Sequence, residues 1–290
     1  MTPVVDASPR VQDLALHDHV CWVYSTDAEY RTVLTSYLSD GLRRGERVMY
    51  LRAPDEDGEL IAEYLTTAGI PVAGKVASGQ LVLAAAESEY LVGGQLDPDE
   101  RLRGYGAAVS TAIDDGFHGL RVAADVSWLL DLPEIRAAWT SYEFRADLLA
   151  ADLPITGLCA YGGRRCRPGD LALVESLHRC VMRGGPAGPD SGFRLHGQLD
   201  GSVRLRGELD LRYAGQVGEL LSGAATSRAA VLDLTDLEFV DMAAMRGIAL
   251  ACEAMIDAHG GATIRGASPM FRRVWHMGAF DRAVPAIVME

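Results

Sequence analysis

Apolar residues in the first 182 positions follow two alternating spacings. Short continuous apolar segments predict buried strands, and they occur at residues 17–24, 47–51, 81–85, 120–124 and 155–161. Between them, apolar residues three and four positions apart predict helices at residues 28–44, 60–68, 100–115, 133–149 and 171–182. This regular order predicts an α/β fold with a mainly parallel sheet and flanking helices. Sheets of this kind bind ligands at the carboxyl ends of their strands.

A glycine- and proline-rich segment at residues 183–192 separates this region from a second, smaller one. Such a composition disfavours helix and strand, so it predicts a linker between domains at residues 14–182 and 193–290. The polar residues before position 14 predict a loose arm. The second region is predicted to begin with a hairpin and to continue as a small α/β domain, with elements at residues 193–199, 202–206, 211–221, 231–247, 262–265 and 269–277.

Within residues 231–247 the apolar period changes from that of a strand to that of a helix. Asp241 lies at the change, where its carboxylate is expected to cap the helix and to suit the positive end of the helix dipole. The earlier sequence Gly207-Glu208-Leu209-Asp210 forms a second motif. The two motifs, at this separation, resemble the STAS domain of bacterial anti-sigma-factor antagonists.

The resemblance implies a protein-binding surface whose partner is an anti-sigma factor or a related kinase-like regulator. In the family, the residue after the aspartate is a Ser or Thr that the partner kinase phosphorylates, whereas this chain has Met242. A thioether has no hydroxyl, so we expect a surface that this chemistry does not switch. The alternative is that Met242 fills a gap in the core and the surface binds nothing. The matching partner-binding positions are Asp210, Asp241, Met242, Ala243, Met245 and Arg246.

The first region contains a series of short motifs. In order they are His19 with Cys21, the sequence GLRRGE at residues 41–46, Gly119-Leu120-Arg121, Ser127-Trp128, Tyr142-Glu143 and Leu158-Cys159-Ala160-Tyr161. This series resembles the MEDS domain, a sensory module of methanogen and methylotroph regulators. The resemblance implies a degenerate RecA/KaiC-like fold and the sensing of a small organic molecule.

The segment between the first strand and the first helix lacks the features of a phosphate-binding loop. That loop needs glycines and a lysine, because backbone amides and an ammonium group together cradle the phosphates. Residues 25–29 are Ser, Thr, Asp, Ala and Glu, and the two carboxylates would repel a triphosphate. We expect a degenerate P-loop and no ATP hydrolysis. Since no serine lies in a G-x-S-x-G elbow and the histidines are scattered, no enzyme is predicted.

Polar and aromatic residues near the predicted strand ends form a candidate ligand pocket. Its members are His19, Cys21, Trp22, Tyr24, Arg121, Trp128, Glu143, Cys159 and Tyr161. The alternative is an internal Arg121–Glu143 ion pair with Trp128 in the core. His17, His19 and Cys21 share one face of the predicted strand and have side chains that suit zinc or copper. Because the sequence offers no fourth ligand at structural-zinc spacing, a buried thiol and a hydrogen-bonded histidine are favoured over a metal site.

Composition and charge narrow the classes of partner. The chain is 49% hydrophobic and 23% charged, as in globular proteins, and no segment approaches the roughly 18 apolar residues of a membrane span. A net charge of -13 disfavours nucleic acid and anionic membrane surfaces, which bind Lys and Arg. The first ten residues lack the apolar core of a signal peptide. Five widely spread cysteines, an odd number, predict reduced thiols in a cytoplasmic protein.

These patterns predict a cytoplasmic signalling regulator of transcription, in which the sensory domain controls a non-phosphorylatable STAS-like domain through protein–protein binding. No cofactor and no metal are expected. A small organic ligand and a homodimer are both compatible with the sequence. The competing interpretation is a nucleotide- or small-molecule-binding RecA-like module whose STAS domain serves as an assembly scaffold, and a third is a scaffold subunit with neither ligand nor switch.

Overall fold

The computed structural model describes residues 10–57, 59–185, 191–198, 200–224 and 230–290. Residues 1–9 of the predicted N-terminal arm and residues 186–190 of the predicted linker lie outside these ranges. A short 3-10 helix at Val11–Asp13 precedes the first sheet.

The first sheet contains six parallel strands in the order β3-β2-β4-β5-β1-β6. They are β1 (His19–Tyr24), β2 (Arg47–Arg52), β3 (Leu81–Ala85), β4 (Leu120–Asp125), β5 (Ile155–Gly162) and β6 (Cys180–Arg183). The helices around it are α1 (Asp27–Arg43), α2 (Leu60–Thr67), α3 (Val72–Ala77), α4 (Ala86–Tyr90), α5 (Pro98–Asp114), α6 (Ser127–Leu130), α7 (Arg136–Asp152) and α8 (Pro168–Ser176). The predicted parallel α/β architecture is confirmed.

Each face of this sheet has its own apolar core, because successive side chains of a strand point to opposite faces. On β1, Val20 and Trp22 pack on the α1 face, whereas Cys21 and Val23 pack on the face that α5 and α7 cover. The same alternation on β5 directs Cys159 and Tyr161 toward α7.

The segment at residues 171–182, predicted as one helix, is instead the end of α8, a turn and the strand β6. This prediction was wrong because Val181 and Met182 continue the apolar spacing of α8 across the turn. β6 pairs with β1 in parallel, so the turn that contains His178 lies beside the start of β1.

The second domain contains a second, mixed sheet in which β10-β8-β9-β11-β12 are parallel neighbours and β7 pairs with β8 in antiparallel orientation. Its strands are β7 (Phe193–Gly197), β8 (Val203–Leu209), β9 (Val231–Asp233), β10 (Leu237–Val240), β11 (Ala262–Arg265) and β12 (Ile287–Met289). Its helices are α9 (Ala214–Ala224), α10 (Met242–His259), α11 (Pro269–Met277) and α12 (Phe280–Ala283).

The apolar core of the second domain extends into the first. Phe144 of α7, Leu173 of α8 and the following Leu177 are buried in the same cluster as Phe193 and Leu195 of β7. Helices α7 and α8 both pack against β7. The two domains therefore share a buried interface.

Candidate functional site

Four buried polar side chains meet on the α7 face of the first sheet, and we call them the buried cluster: His19, Glu143, Cys159 and His178. His19 begins β1, Cys159 lies on the neighbouring β5, Glu143 projects from α7, and His178 comes from the turn before β6. Opposite His19 on β5 is Gly157, where a Cβ atom would approach His19 Cδ2 to 3.0 Å. Glycine at this position thus leaves room for the imidazole ring.

The ligand-type atoms of the buried cluster converge on one point. His19 Nε2 lies 3.2 Å from Glu143 Oε2 and 3.4 Å from Cys159 Sγ. Glu143 Oε2 also lies 3.4 Å from His178 Nε2 and 3.6 Å from Cys159 Sγ. The four atoms all lie within 4.8 Å of one another, and all four residues are buried.

Neighbouring groups fix the orientation of the cluster. His178 Nδ1 donates to the carbonyl of Val174 at 2.7 Å, which turns Nε2 toward Glu143. The Tyr161 hydroxyl donates to Glu143 Oε1 and itself accepts from Trp139 Nε1 at 3.1 Å. These bonds leave Glu143 Oε2 facing the two histidines.

The buried cluster is strongly coupled electrostatically. Burial alone would raise the pKa of Glu143, but His178 and His19 beside it lower that pKa far below its ordinary value. Burial and the neighbouring His19 act to lower the pKa of His178, yet Glu143 and Cys159 raise it to about 9. Burial would also lower the pKa of His19, whereas Cys159 and Asp147 raise it well above its ordinary value. The arrangement therefore holds positive charge beside a buried carboxylate.

A small cavity of about 30 Å³ adjoins His19 and Cys159, with Tyr90, Tyr105 and Tyr142 in its wall. A cavity needs roughly 10–15 Å³ to hold one water molecule, so this space suits a water or two and not an organic ligand of several heavy atoms. The site is thus sized for an ion or a very small molecule.

Only part of the pocket predicted from the sequence comes together. His19, Glu143, Cys159 and Tyr161 form the site, and Cys21 and Trp128 are buried on the same face of the sheet. Trp22, Tyr24 and Arg121 were also predicted to line the pocket, but they lie away from the buried cluster. Trp22 lies in the core on the α1 face, Tyr24 donates to Asp125 Oδ2 at 2.6 Å, and Arg121 is buried beside Tyr37.

The Arg121–Glu143 ion pair, which was the alternative to the predicted pocket, is absent from the described structure. Arg121 Nε donates to Glu46 Oε2 at 2.5 Å, on the opposite face of the sheet from Glu143. The alternation of β4 decides this outcome, because Val122 points to the α7 face and Arg121 must point away from it. Instead, His178 lies beside Glu143, and this residue was not among the site residues predicted from the sequence.

The β1–α1 loop is occupied by a carboxylate of the protein itself. Glu29 accepts from the Ser25 backbone N–H at 2.9 Å and from Trp22 Nε1 at 3.3 Å. The Thr26 hydroxyl caps α1 by accepting from the Glu29 N–H at 3.2 Å. Two backbone N–H groups that a phosphate-binding loop could offer to a nucleotide, those of Ser25 and Glu29, are therefore satisfied internally.

A second candidate site lies where β8 and β10 end, and we call it the STAS face: Asp210, Leu211, Asp241, Met242 and Arg246. Asp241 caps α10 as predicted, since its carboxylate accepts from the Ala244 N–H at 2.8 Å. Its second oxygen accepts from the Leu211 N–H at 2.7 Å and so ties the two sequence motifs together. Leu211 is 74% exposed and Met242 46% exposed, so Met242 does not fill a gap in the core.

The four other positions of the predicted partner surface differ from one another in exposure. Met245 is fully buried in the core of the second domain, although Met242 one turn earlier on α10 is exposed. This position therefore belongs to packing and not to the surface. Ala243 is half-buried and packs against that core, while Asp210 and Arg246 are exposed.

Asp147 connects the buried cluster with the second domain. It lies one helical turn after Glu143 on α7 and is fully buried. Its Oδ1 lies 3.7 Å from His19 Nδ1, and its Oδ2 accepts from the Gly197 N–H of β7 at 2.7 Å. A Cβ atom at Gly197 would lie 2.7 Å from Leu148 Cδ2, so glycine allows this close approach of β7 to α7.

No helix in the described ranges is long and apolar enough to cross a membrane. No curated protein matches the chain. Among solved structures it is similar to a KaiC-like protein from the hyperthermophilic archaeon Pyrococcus horikoshii OT3, with 13% identity, a TM-score of 0.41, and coverage of 66% of this chain and 79% of that one.

Two family models match the chain. The model of the MEDS domain, described as "MEthanogen/methylotroph, DcmR Sensory domain", matches residues 18–179, and the model of the STAS domain matches residues 196–288. The first match covers more than half of the chain and contains the whole buried cluster, and the second contains the STAS face. The chain therefore belongs to the MEDS family and carries a STAS domain after its MEDS domain.

Proposed function

We propose that this chain is a cytoplasmic signalling regulator in which the state of the buried cluster controls protein binding at the STAS face. The observation that carries the proposal is the position of Asp147, which contacts His19 of the MEDS domain and the Gly197 N–H of the STAS domain. A change at His19 alters the charge that Asp147 faces, and thus the anchoring of β7. Since β7 pairs with β8, this change reaches the strand that ends at Leu209, immediately before Asp210.

The partner is an anti-sigma factor or a related kinase-like regulator that binds the STAS face. The exposed Leu211 and Met242 give this face an apolar centre, flanked by Asp210 and Arg246. Methionine is adaptable and suits a contact of this kind. Because Met242 cannot be phosphorylated, the surface stays competent to bind, and control passes to the MEDS domain.

The chain acts by binding and not by catalysis. The Glu29 carboxylate accepts from the Ser25 N–H and Thr26 Oγ1 accepts from the Glu29 N–H, which opposes the competing interpretation of a nucleotide-binding module. The only carboxylate–histidine–thiol group among the described residues is the buried cluster, and a space of about 30 Å³ beside it leaves no room for a sizeable substrate.

Binding measurements with substituted STAS faces test the proposal. Purified chain is immobilised and exposed to each anti-sigma factor and kinase-like regulator of its own genome. At least one of them is expected to bind wild type, and Met242→Asp is expected to weaken it at least about tenfold, because a carboxylate loses its hydration in an apolar contact. Met242→Ser should bind more tightly than Met242→Asp.

The matched control is Val76→Asp, which places the same charge on an equally exposed apolar position of α3 in the MEDS domain. It should bind like wild type. Equal affinity of wild type and Met242→Asp, with both folded, would show that the STAS face is not the interface.

A further inference from the structure

We propose that His19, Glu143, Cys159 and His178 bind one Zn²⁺ ion inside the MEDS domain. Imidazole, thiolate and carboxylate are the ligands that zinc takes in proteins, at roughly 2.0–2.3 Å. A tetrahedron with such bond lengths separates its ligand atoms by roughly 3.3–3.7 Å. Four of the six separations among the ligand atoms are 3.2, 3.4, 3.4 and 3.6 Å. The other two, from His178 Nε2 to the His19 and Cys159 atoms, are at most 4.8 Å, so a modest movement closes the site around an ion.

Neighbouring groups hold the proposed ligands in orientations that suit metal binding. A metal-binding histidine usually gives its other ring nitrogen to a carbonyl or a carboxylate, which fixes the ring and its tautomer. His178 Nδ1 donates to the Val174 carbonyl, and His19 Nδ1 faces Asp147. The Tyr161 hydroxyl holds the other oxygen of Glu143. His178 Nε2 is fully buried and has no hydrogen-bond partner among the described residues, although it points into the cluster.

Zinc also balances the charge of the site. A thiolate at Cys159 and a carboxylate at Glu143 carry two negative charges, which one Zn²⁺ neutralises while both imidazoles are neutral. Binding transfers to solvent the thiol proton and any proton on the two Nε2 atoms, and zinc takes their places. A buried charge is costly unless it is paired or coordinates a metal, so the bound state satisfies groups that the fold has already removed from water.

This proposal deepens the proposed function, on which its regulatory part rests. Zinc on His19 Nε2 leaves Nδ1 as a fixed N–H donor toward Asp147, whose second oxygen accepts from Gly197. Loading of the site thus fixes which ring nitrogen of His19 carries the proton beside Asp147, the residue that anchors β7. The signal that the MEDS domain senses is then the availability of Zn²⁺, or of a very small ligand that competes for the ion.

Metal analysis of the full chain tests the site without any partner. Because the ligands are buried, the metal is offered during folding, by expression in medium supplemented with Zn²⁺ or Co²⁺. We expect about one ion per chain after gel filtration with EDTA, and a Co²⁺ protein with a thiolate charge-transfer band and the strong visible bands of four-coordinate cobalt. Cys159→Ser should abolish the charge-transfer band, and His178→Gln should lower the metal content at least about tenfold.

The matched control is Cys21→Ser, which removes an equally buried thiol on the same face of the sheet but outside the cluster. It should keep both the ion and the band. Substoichiometric metal in wild type, or a cobalt spectrum without thiolate character, overturns the site whether or not the variants fold. Equal metal in Cys159→Ser, His178→Gln and wild type identifies adventitious binding and also overturns it.

The failures of the site and of the proposed function are distinguishable. If wild type binds zinc and loses it in Cys159→Ser, the site stands. If the affinity of the STAS face for its partner is then equal in the zinc-loaded and zinc-free proteins, the regulatory part of the proposal fails alone.

Discussion

Replacing Asp147 by asparagine tests the connection between the two domains. The side chain keeps its size but loses its charge, at a fully buried position. The wild-type carboxylate accepts from the Gly197 N–H at 2.7 Å and from the Arg179 N–H at 3.4 Å, and it faces His19 Nδ1 at 3.7 Å. In Asp147→Asn all three contacts are weakened together.

Two general magnitudes set the loss of unfolding free energy expected for Asp147→Asn. A hydrogen bond to a charged group contributes about 1.5–3 kcal/mol, and removing one partner of a buried ion pair costs about 3–5 kcal/mol. Asparagine keeps one acceptor oxygen for Gly197, and the approach to His19 is longer than a hydrogen bond. We therefore expect Asp147→Asn to lower the free energy of unfolding by about 2–4 kcal/mol.

Urea unfolding at neutral pH, followed by far-ultraviolet circular dichroism, measures this loss. Tryptophan fluorescence adds domain resolution, since Trp22, Trp128 and Trp139 lie in the MEDS domain and Trp275 in the STAS domain. The control is Asp115→Asn, which removes a half-exposed carboxylate paired with Arg47 and should cost less than about 1 kcal/mol. If Asp147→Asn unfolds at the same urea concentration as Asp115→Asn, Asp147 does not join the domains.

Three further outcomes follow from the structure. Phe144→Ala should lower the free energy of unfolding by about 3–5 kcal/mol, seen by urea titration, and should destabilise both domains because this ring is buried in the core that they share. Limited proteolysis should cut within residues 183–192, as their composition predicts, and gel filtration should find the two fragments still associated; separate fragments would contradict the shared core. Purified chain should release no phosphate from Mg-ATP, because Glu29 occupies the Ser25 N–H; release that Glu29→Ala alters would refute this.

The parts of the fold that follow from short-range patterns were predictable. Strand and helix periods located β1 to β5 and the helices α1, α2, α5 and α7, but not the short helices α3, α4 and α6. The Asp241 cap was identified from its place between two periods. Met242 was recognised as an unusual residue from the motif alone. That Met242 is exposed could be established only from the structure, because the same methionine could have faced the core.

Only part of the buried cluster was predicted from the sequence, because the structure around His178 was predicted wrongly. His19, Glu143, Cys159 and Tyr161 were candidates, but His178 was placed inside a helix that in fact ends at Ser176. A turn and the strand β6 bring it to His19. The metal site considered from the sequence was His17, His19 and Cys21, of which only His19 belongs to the buried cluster, and it was disfavoured for lack of a fourth ligand.

The pairing of Arg121 and the shared core depend on long-range geometry. Which face of a central strand a residue occupies depends on a register that one sequence does not specify, and Arg121 lies opposite to the expected side. A signal for the shared core does exist in α7, whose apolar residues surround most of the helix. Trp139 and Tyr142 pack on the sheet, while Phe144 and Leu148 pack on the STAS domain. A helix that is apolar on most sides is buried on most sides.

Hydrogen exchange of the full chain tests most directly the claim that the buried cluster is coupled to the STAS domain. His178→Gln changes the cluster inside the MEDS domain, whereas Cys21→Ser changes a buried thiol outside it. We expect the amides of β7, Gly197 above all, to exchange at least about tenfold faster in His178→Gln than in Cys21→Ser, equivalent to about 1.4 kcal/mol. Equal exchange of β7 in the two variants, with altered exchange around His19, would contradict the coupling.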